Sequence, residues 1–549
     1  MKSLTALMIS VCVPAAVMAA GAQIVSDPAN LKGKEYVNPV IHGDYSDPDV
    51  TASPDGKRFY MTASSFQCAP GLPILRSDDL VNWELVNYAL PAVPPAEAYS
   101  SAPMHGKGVW APCIKVHDGK YYIYWGDPDY GVFMVCTDNP EGEWSEPVLV
   151  KAGKGLIDTT PLWDDDGKVY LANGWAGSRA GFNSVITVSE MNAEGTRVTG
   201  KPVIVFDGND GVNHTVEGPK FYKHDGYYYL MAPAGGVETG WQLVMRSKNP
   251  MGPYESKIVM AQGGTDINGP HQGGWVETPD GRGWFLHFQD KGAYGRVVHL
   301  NPLEWKDGWP VIGADPDGDG CGEPVKRFRR PLPASGNVNY SEVQGHELFS
   351  WHSNYNDLFG FPMADGSMRI YGHRLSPEFV NMWEVPNLWL EKLPAEEFVM
   401  TADVKICAKA SSEGAASGLI VMGWDYCALE VVKRADRFAV TLNRCTDAEQ
   451  GGRESSQEIA SLAPTRVYKA GLHDNMELDM LMRVEVSKGA LCTFSYSTDG
   501  GKKWVRCGKE PFKARAGKWI GAKAGFFSVV PDGVSDRGWI DVKETVIKQ

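Results

Sequence analysis

The chain has few of the features that mark redox proteins, metal-binding fingers and membrane proteins. Only ten of its 549 residues are cysteines and none of them forms a C-x-x-C pair, so zinc-finger and thioredoxin-like motifs are excluded. After residue 22, no apolar run reaches the roughly 20 residues that a membrane-spanning helix needs. Helical periodicity over a dozen residues is also hard to find, whereas short aromatic runs separated by turn residues are frequent, which favours an all-β fold.

Basic residues are also fewer than acidic residues. Asp and Glu outnumber Lys and Arg by 67 to 53, and the formal net charge is −14. Nucleic acids and anionic membranes attract basic surfaces, so we expect neither as a partner. Aromatic side chains, in contrast, are abundant, with 18 Trp and 22 Tyr, and their flat rings suit both core packing and contact with sugar rings.

The N-terminus has the layout of a secretory signal peptide. Lys2 supplies a positive charge, an apolar run covers residues 4–17, and Ala20-Gly21-Ala22 forms a small-residue cleavage site. We therefore predict that residues 1–22 are removed and that the mature chain reaches the bacterial periplasm or the medium, with no membrane association after cleavage. The odd number of cysteines that remains predicts mostly buried free thiols.

Five stretches in the first 300 residues resemble one another. Each has an Asp-Gly turn followed by an aromatic strand, and the turns begin at Asp55, Asp118, Asp166, Asp225 and Asp280. Asp-Gly favours two-residue hairpin turns because both central residues adopt positive φ. The intervals of 63, 48, 59 and 55 residues suit four strands with their loops. The repeat predicts a five-bladed β-propeller over residues 35–325.

A second all-β region follows a Pro- and Arg-containing linker. Alternating apolar patterns at residues 398–406, 438–442 and 478–486 indicate strands with one buried face. We therefore predict an all-β chain in which the propeller is followed, over residues 340–549, by a jelly-roll-like β-sandwich.

Acidic residues recur at one position of the repeat. Counting eight residues back from each Asp-Gly turn gives Asp47, Trp110, Asp158, Glu217 and Gln272. The innermost strands of a propeller begin on one face, so equivalent positions converge at the mouth of the central channel. The three acids predict one acidic pocket. Hydrolysis of a glycosidic bond needs two carboxyl groups in different protonation states, and a third one nearby can raise the pKa of the proton donor.

Several motifs of the first domain resemble those of glycoside hydrolase family 43, in the same order. They occupy residues 38–40, 43–50, 62–66, 71–74, 109–112, 217–219, 269–274, 288–290 and 294–296. The resemblance covers the whole first domain, and the second domain looks like the sandwich that is often appended in this family. It implies an inverting, exo-acting hydrolase in which Asp47 is the general base, Glu217 the general acid and Asp158 the residue that tunes and orients the acid.

The same motifs supply candidates for substrate binding. The resemblance places Arg296 near the pocket, where a fixed cation can bind sugar hydroxyls, with Gln289 in the neighbouring block. Phe66 and Trp110 would form hydrophobic walls against the sugar. A surface ion pair for Arg296 and core packing for the two aromatic residues remain alternatives.

No cofactor is expected for the chemistry itself, but a structural calcium ion is a candidate. In the family, a histidine at the position of His271 often meets a Ca²⁺ ion in the channel, with water filling the other ligand positions. Calcium prefers oxygen ligands, so a purely structural histidine is an equal alternative. Residues 315–320 match only the first half of an EF-hand, because Lys326 occupies the position of the required Glu, and we interpret them as an acidic interdomain loop.

The resemblance implies removal of terminal pentoses, β-D-xylose, α-L-arabinofuranose or both, from plant cell-wall polysaccharides or oligosaccharides. An endo-acting arabinanase and a non-catalytic carbohydrate-binding protein remain alternatives. The sandwich is expected either to support the propeller and lend a loop to the pocket, or to bind polysaccharide.

Overall fold

The computed structural model describes residues 23–335, 340–469 and 474–549. The predicted signal peptide lies outside these ranges. None of the helices that are described has the length and apolar composition of a membrane-spanning segment. The described α-helices, α1 (Ala96–Tyr99) and α2 (Gly177–Ala180), have a single turn each, and the remaining regular structure is almost entirely β.

Five antiparallel sheets form the blades of the first domain, as the repeat predicted. Two short strands, β1 (Gln23–Ile24) and β2 (Glu35–Val37), precede them, and β1 pairs with the outer strand of the first blade. The blade strands, in chain order, are β3 (Asp49–Ala52), β4 (Phe59–Thr62), β5 (Gly71–Ser77) and β6 (Glu84–Leu90); β7 (Trp110–His117), β8 (Lys120–Asp127), β9 (Gly131–Thr137) and β10 (Val148–Ala152); β11 (Leu156–Trp163), β12 (Val169–Trp175), β13 (Val185–Met191) and β14 (Val203–Asp207); β15 (Lys220–His224), β16 (Tyr227–Ala234), β17 (Trp241–Ser247) and β18 (Glu255–Met260); and β19 (His271–Glu277), β20 (Gly283–Asp290), β21 (Arg296–Lys306) and β22 (Trp309–Ile312).

Each predicted Asp-Gly turn joins the first and second strands of a blade. Asp118 and Gly119 have φ values of 47° and 79°, and Asp225 and Gly226 have φ values of 46° and 70°. Positive φ at both central residues is the geometry of a tight hairpin turn whose twist matches that of the flanking strands. The sequence repeat therefore marks one structural element of each blade.

The segment before the first blade closes the ring against the fifth. Asn38 Nδ2 donates to Leu300 O at 2.7 Å, and Leu300 N donates to Asn38 Oδ1 at 2.9 Å. Strand β2 also pairs with β23 (Arg327–Arg329), which follows the last blade. These contacts join the two ends of the propeller and fix blade 5 beside blade 1.

The second domain is a β-sandwich of two sheets. Its strands, in chain order, are β24 (Phe349–Trp351), β25 (Gly360–Pro362), β26 (Met368–Tyr371), β27 (His373–Arg374), β28 (Trp389–Lys392), β29 (Phe398–Lys409), β30 (Ala416–Met422), β31 (Tyr426–Arg434), β32 (Arg437–Cys445), β33 (Ser455–Leu462), β34 (Arg466–Tyr468), β35 (Asn475–Ser487), β36 (Leu491–Ser497), β37 (Val505–Lys513), β38 (Lys523–Val530) and β39 (Trp539–Lys548). One sheet follows the order β24-β28-β38-β30-β31-β32-β33, and the other follows β25-β26-β39-β29-β35-β36-β37.

Alternating side chains of the two sheets form the sandwich core. Met400, Ala402 and Val404 on β29 are buried with Leu419 and Val421 on β30, each at 2 % exposure or less. Each buried aliphatic side chain contributes about 1.5–3 kcal/mol to folding relative to an exposed one. The predicted alternation at 398–406, 438–442 and 478–486 corresponds to β29, β32 and β35.

Backbone hydrogen bonds connect the two domains. Ala69 N donates to Trp351 O at 3.1 Å, and Trp351 N donates to Ala69 O at 2.8 Å. Asn354 Nδ2 donates to Val93 O at 3.0 Å, and Tyr88 Oη donates to Glu347 O at 2.9 Å. Strand β24 of the sandwich is therefore attached to loops of blade 1.

Candidate active site

A residue with positive φ, the left-handed backbone conformation, lies within two residues of the start of every inner strand. In blades 1, 3 and 5 it is the residue eight positions before the turn, and in blades 2 and 4 it is the next residue along the chain. These residues and their φ values are Asp47 (56°), Ala111 (36°), Asp158 (57°), Gly218 (59°) and Gln272 (34°). The pairing of the inner strand also shifts here in blades 2, 3 and 5. Such bulges re-aim side chains, which brings the axial carboxylates toward the channel mouth.

Asp47 is held by two serine hydroxyls. Ser46 Oγ donates to Asp47 Oδ2 at 2.8 Å, and Ser64 Oγ donates to the same oxygen at 2.5 Å. Ser64 Oγ in turn accepts a hydrogen bond from Ala111 N at 2.7 Å. The other carboxylate oxygen, Oδ1, lies 3.6 Å from Arg296 Nη1. The carboxylate is thus fixed in one orientation, with a cation beside the oxygen that the serines leave free.

Asp158 is completely buried and connects to the segment that carries Glu217. Gly218 N donates to Asp158 Oδ2 at 2.8 Å. Burial raises the pKa of Asp158 well above its ordinary value, and repulsion by the Glu217 and Asp47 carboxylates raises it further. Gly174 lies between the acids, since a Cβ there would be 3.5 Å from Asp158 Oδ2 and 3.7 Å from Glu217 Cβ. The structure therefore brings all three predicted acids together.

Glu217 is the accessible acid of the three. Its side chain is 31 % exposed, against 6 % for the side chain of Asp47. His271 Nε2 lies 3.1 Å from Glu217 Oε1, and the histidine itself is fully buried. An acid that must reach the departing oxygen of a substrate needs both exposure and a fixed orientation, and Glu217 has both.

Arg296 is a buried member of the site and not a surface ion pair. It is 8 % exposed, and Nη1 donates to Ser46 Oγ at 2.7 Å. Its guanidinium also lies 4.7 Å from the centre of the Phe288 ring and 5.9 Å from that of Trp519. A planar cation held between aromatic rings keeps its remaining N–H groups in fixed directions.

Aromatic residues from both domains line one side of the site. Phe66 is buried, with its ring centre 6.4 Å from that of Trp110, and Trp110 is 6.0 Å from Trp519. Trp519 belongs to the loop before β38 of the sandwich and is 49 % exposed. Gly521 N of the same loop donates at 2.8 Å to Asp44 Oδ2 in the propeller. The sandwich therefore lends a loop to the site, which was one of the two roles expected for it.

Gln289 is engaged with protein neighbours. Its Nε2 donates to Asp266 O at 3.1 Å and to Asn268 Oδ1 at 2.8 Å, and its Oε1 lies 3.1 Å from His299 Nε2. Both amide hydrogens are thus used, which leaves a single acceptor lone pair for a substrate. We infer that Gln289 mainly fixes the 266–268 loop, and its contact with substrate stays a prediction.

The described side-chain contacts of His271 provide few oxygen atoms that could bind a calcium ion. Its Nε2 contacts Glu217, and its Nδ1 has no hydrogen-bond partner among the described residues. Calcium takes six to eight oxygen ligands, which these groups do not supply, whereas an ordered water fits a lone buried nitrogen. We therefore derive no catalytic step through a metal, and calcium at His271 stays a prediction.

The acidic loop at 315–320 is attached to the propeller. Within the described residues, Asp315, Asp317 and Asp319 are the group of acids close enough together to share a metal ion. Their carboxylates accept backbone N–H groups of their own loop, Ala314 pairs with Glu323 after the loop, and Gly322 pairs with Met260 of blade 4. Hydrogen bonds within the loop account for this cluster.

Three residues of the site cannot be identified from the sequence repeat. Ser46 precedes Asp47 within the matching motif, and its hydroxyl could have been proposed from that proximity. Ser64 lies 17 residues from Asp47, and Trp519 comes from the other domain. Long-range neighbours of this kind depend on domain packing, which periodicity does not encode.

Comparison with known proteins agrees with this site and fold. The sequence profile of glycosyl hydrolases family 43 matches residues 36–310, and that of the beta xylosidase C-terminal concanavalin A-like domain matches residues 342–547. The two profiles thus cover the propeller and the sandwich, respectively.

Curated relatives carry names of pentose-releasing enzymes. A putative beta-xylosidase of Xylanibacter ruminicola is 41 % identical over 317 residues, which are 57 % of this chain and 58 % of the relative. A beta-xylosidase of Formosa agariphila is 27 % identical over 92 % of this chain and 89 % of its own length. A non-reducing end alpha-L-arabinofuranosidase of Bacteroides ovatus is 33 % identical over 52 % of this chain and 55 % of its own length.

Solved structures share the fold across both domains. The xylan beta-1,4-xylosidase of Bacillus halodurans superposes with a TM-score of 0.78 at 20 % identity, covering 93 % of this chain and all of the other. At this identity the likeness supports the fold alone. It confirms the predicted five-bladed propeller followed by a β-sandwich. The profile match over half of the chain establishes that this protein belongs to glycosyl hydrolases family 43.

Proposed function

We propose that the protein is an exo-acting, inverting glycoside hydrolase that removes terminal β-D-xylose, α-L-arabinofuranose or both from plant cell-wall polysaccharides or oligosaccharides. The observation that carries the proposal is the convergence of Asp47, Asp158 and Glu217 at one end of the propeller, with their different burial and partners. Glycoside hydrolysis uses carboxyl groups whose environments push their protonation states apart.

Asp47 acts as the general base in this proposal. Ser46 and Ser64 hold its Oδ2, so Oδ1 is the oxygen left to take a proton from the attacking water. Arg296 lies beside that oxygen and is placed to bind a sugar hydroxyl. The water attacks the anomeric carbon from the side opposite the departing group, which inverts its configuration.

Glu217 acts as the general acid. Its proton passes to the glycosidic oxygen as the bond to the anomeric carbon breaks. The contact with His271 Nε2 orients Glu217, and the ring tautomer determines whether Nε2 accepts from the protonated carboxyl or donates to the ionised one. Asp158 shares the acidic surroundings and, through Gly218 N, fixes the backbone next to Glu217.

The contribution of the sandwich supports exo over endo action. Trp519 stands beside Trp110 and Arg296, and the neighbouring Lys518 reaches Gly106 of blade 2. A loop from the second domain beside these residues would narrow the open groove that a continuous polymer needs, and a narrowed site suits a terminal sugar.

The names of the relatives support a pentose as that sugar. Release of chromophore from aryl β-D-xyloside and aryl α-L-arabinofuranoside tests the specificity, and inactivity on both would refute it. Product sizes from xylan and arabinan test exo action, since a ladder of oligosaccharides at early times would refute it. Proton NMR of the first-formed sugar tests inversion, because a retained anomer would contradict the assignment of Asp47 as base.

We also propose that the mature protein works outside the cytoplasm. The signal-peptide pattern of residues 1–22 supports this. Expression of the full chain in a bacterial host, followed by mass spectrometry of the exported protein, is expected to find an N-terminus near Gln23. Recovery of uncleaved chain solely in the cytoplasm would contradict export.

A further inference from the structure

A lysine of the sandwich contacts a cysteine of the propeller. Lys523 Nζ lies 3.1 Å from Cys68 Sγ, although 455 positions separate the two residues along the chain. Both are buried, at 4 % and 3 % exposure. Cys68 lies in the loop that pairs with Trp351, and Lys523 begins β38. The pair therefore bridges the domain interface.

Among the described residues, Lys523 forms no ion pair with a carboxylate. Its other hydrogen-bond partner is Ser350 Oγ at 3.3 Å. A buried amine needs polar partners, and the Cys68 sulfur is the nearer of the two. The contact is thus a chemical pairing and not an incidental approach of two apolar surfaces.

A second lysine adds positive charge around the sulfur. Lys392 is the neighbour of Lys523 across strands β28 and β38. The pKa of Lys392 is lowered to about 8, chiefly by burial and also by the charge of Lys523, whereas Asp44 and Cys68 oppose this shift. Two lysine side chains, Lys523 and Lys392, therefore lie close to the Cys68 sulfur.

Space for a small oxidant adjoins the pair. A cavity of about 30 Å³ at the domain interface is lined by Cys68, Lys523, Ser350, Lys392 and Asp44, among others. This volume admits a molecule of the size of water, and hydrogen peroxide is only slightly larger. Lys523 Nζ already contacts the sulfur, so an oxidised Cys68 meets this amine.

We propose that Cys68 and Lys523 form a covalent N–O–S bridge when the protein is exposed to peroxide. In the first step, one peroxide oxidises the thiol to a sulfenic acid, and water is released. In the second step, the sulfenic acid, the amine and another peroxide give the bridge and two waters. One S–H bond and one N–H bond are lost, and the bridging oxygen bonds to sulfur and nitrogen.

The bridge would join the two segments that bring aromatic residues to the active site. Phe66 lies two residues before Cys68, and Trp519 lies four residues before Lys523. A covalent link across the domain interface stabilises the folded protein by restricting the unfolded chain. The proposed bridge is thus a redox-sensitive covalent link between the propeller and the sandwich.

Peptide mapping of the full-length protein tests the proposal without reference to enzymatic activity. After peroxide treatment, we expect a cross-linked peptide pair containing Cys68 and Lys523, heavier than the two separate peptides by one oxygen less two hydrogens, about 14 Da. Dithiothreitol should separate the pair. We also expect the thermal unfolding temperature to rise by about 5 °C on oxidation and to return on reduction.

Variants identify the atoms involved. Cys68→Ser and Lys523→Arg should give no linked pair, while Cys136→Ser, at a half-buried cysteine of blade 2, should leave it intact. Recovery of Cys68 as free thiol or sulfinic acid, at a peroxide dose that oxidises Cys136 in the wild type, would overturn the proposal. A linked pair lighter by two hydrogens and lacking oxygen would also overturn it, because that product is a direct S–N bond.

Discussion

His271 Nε2 lies 3.1 Å from Glu217 Oε1, so the histidine at which a calcium ion is predicted is also in contact with the proposed proton donor. The ring is fully buried, and its contact with Phe288 fixes its plane. A rigid imidazole restrains the partly exposed Glu217 side chain. In the proposed mechanism, catalysis therefore depends on His271 through the orientation of Glu217.

We predict that chelation of divalent cations leaves kcat unchanged. The reason is that the proposed chemistry uses protein carboxyl groups, so a structural calcium ion would not take part in it. Activity on an aryl glycoside after dialysis against EDTA, with metal content measured in parallel, checks this. A loss of more than about tenfold that calcium restores would show that a bound cation is needed.

Asp158→Asn should make the alkaline limb of the kcat/KM profile less steep. Burial raises the pKa of the Asp158 carboxyl well above its ordinary value, and the Glu217 and Asp47 carboxylates raise it further. The amide has no proton to release, so ionisation of residue 158 no longer contributes to the loss of activity at alkaline pH. Asp165→Asn, at an exposed residue of the same blade, is the control. An unchanged limb in Asp158→Asn would contradict a tuning role.

Trp519→Ala should lower kcat/KM about tenfold, which corresponds to ~1.4 kcal/mol of lost binding. We expect most of the effect in KM, because Trp519 contributes a wall near Trp110 and Arg296 and none of the reacting groups. Tyr468→Ala is the matched control, since Tyr468 is similarly exposed at 47 % on the sandwich. Equal kinetic constants for the two variants would show that Trp519 does not contribute to substrate binding.

Glu430→Gln should make the protein more stable at alkaline pH. Glu430 is buried on β31, and burial raises its pKa to about 8, with a further contribution from Glu454. The stability associated with the neutral carboxyl is complete below pH 4.5 and is lost as the pH rises toward 8, at up to about 1.4 kcal/mol per pH unit. The amide removes this loss.

Thermal unfolding between pH 5 and 9 provides the measurement. The wild type should lose stability more steeply than Glu430→Gln over this range. Glu458→Gln, at an exposed residue of the neighbouring strand β33, should follow the wild type. A parallel decline in all three proteins would show that Glu430 does not titrate as its burial implies.

The sequence specifies the repeat more fully than the site. Asp-Gly turns and aromatic strands depend on neighbouring residues, so the five blades could be predicted from local pattern. The axial position was also predictable, yet the left-handed residue in blades 2 and 4 is Ala111 or Gly218, one position beyond the expected Trp110 or Glu217. Bulge geometry sets this offset, and a count along the chain does not include it.

Side-chain partners were the least predictable part. Gln289 occurs in a matching motif, but its amide is engaged by Asp266 and Asn268. Trp519 has no motif of its own, and only docking of the sandwich on the propeller brings it near Arg296. Contacts of this kind depend on how two complete domains pack, which is a property of the folded chain.

The most direct test compares Glu217→Ala and Asp47→Ala on aryl glycosides with good and poor leaving groups. A general acid matters most when the leaving group is poor, and it contributes about 10²–10⁴-fold. Glu217→Ala should therefore lose activity mainly on the poor leaving group, whereas Asp47→Ala should lose it on both, because water activation is needed for either substrate. Wild-type rates in Glu217→Ala on both substrates would contradict the assignment of Glu217 as the acid.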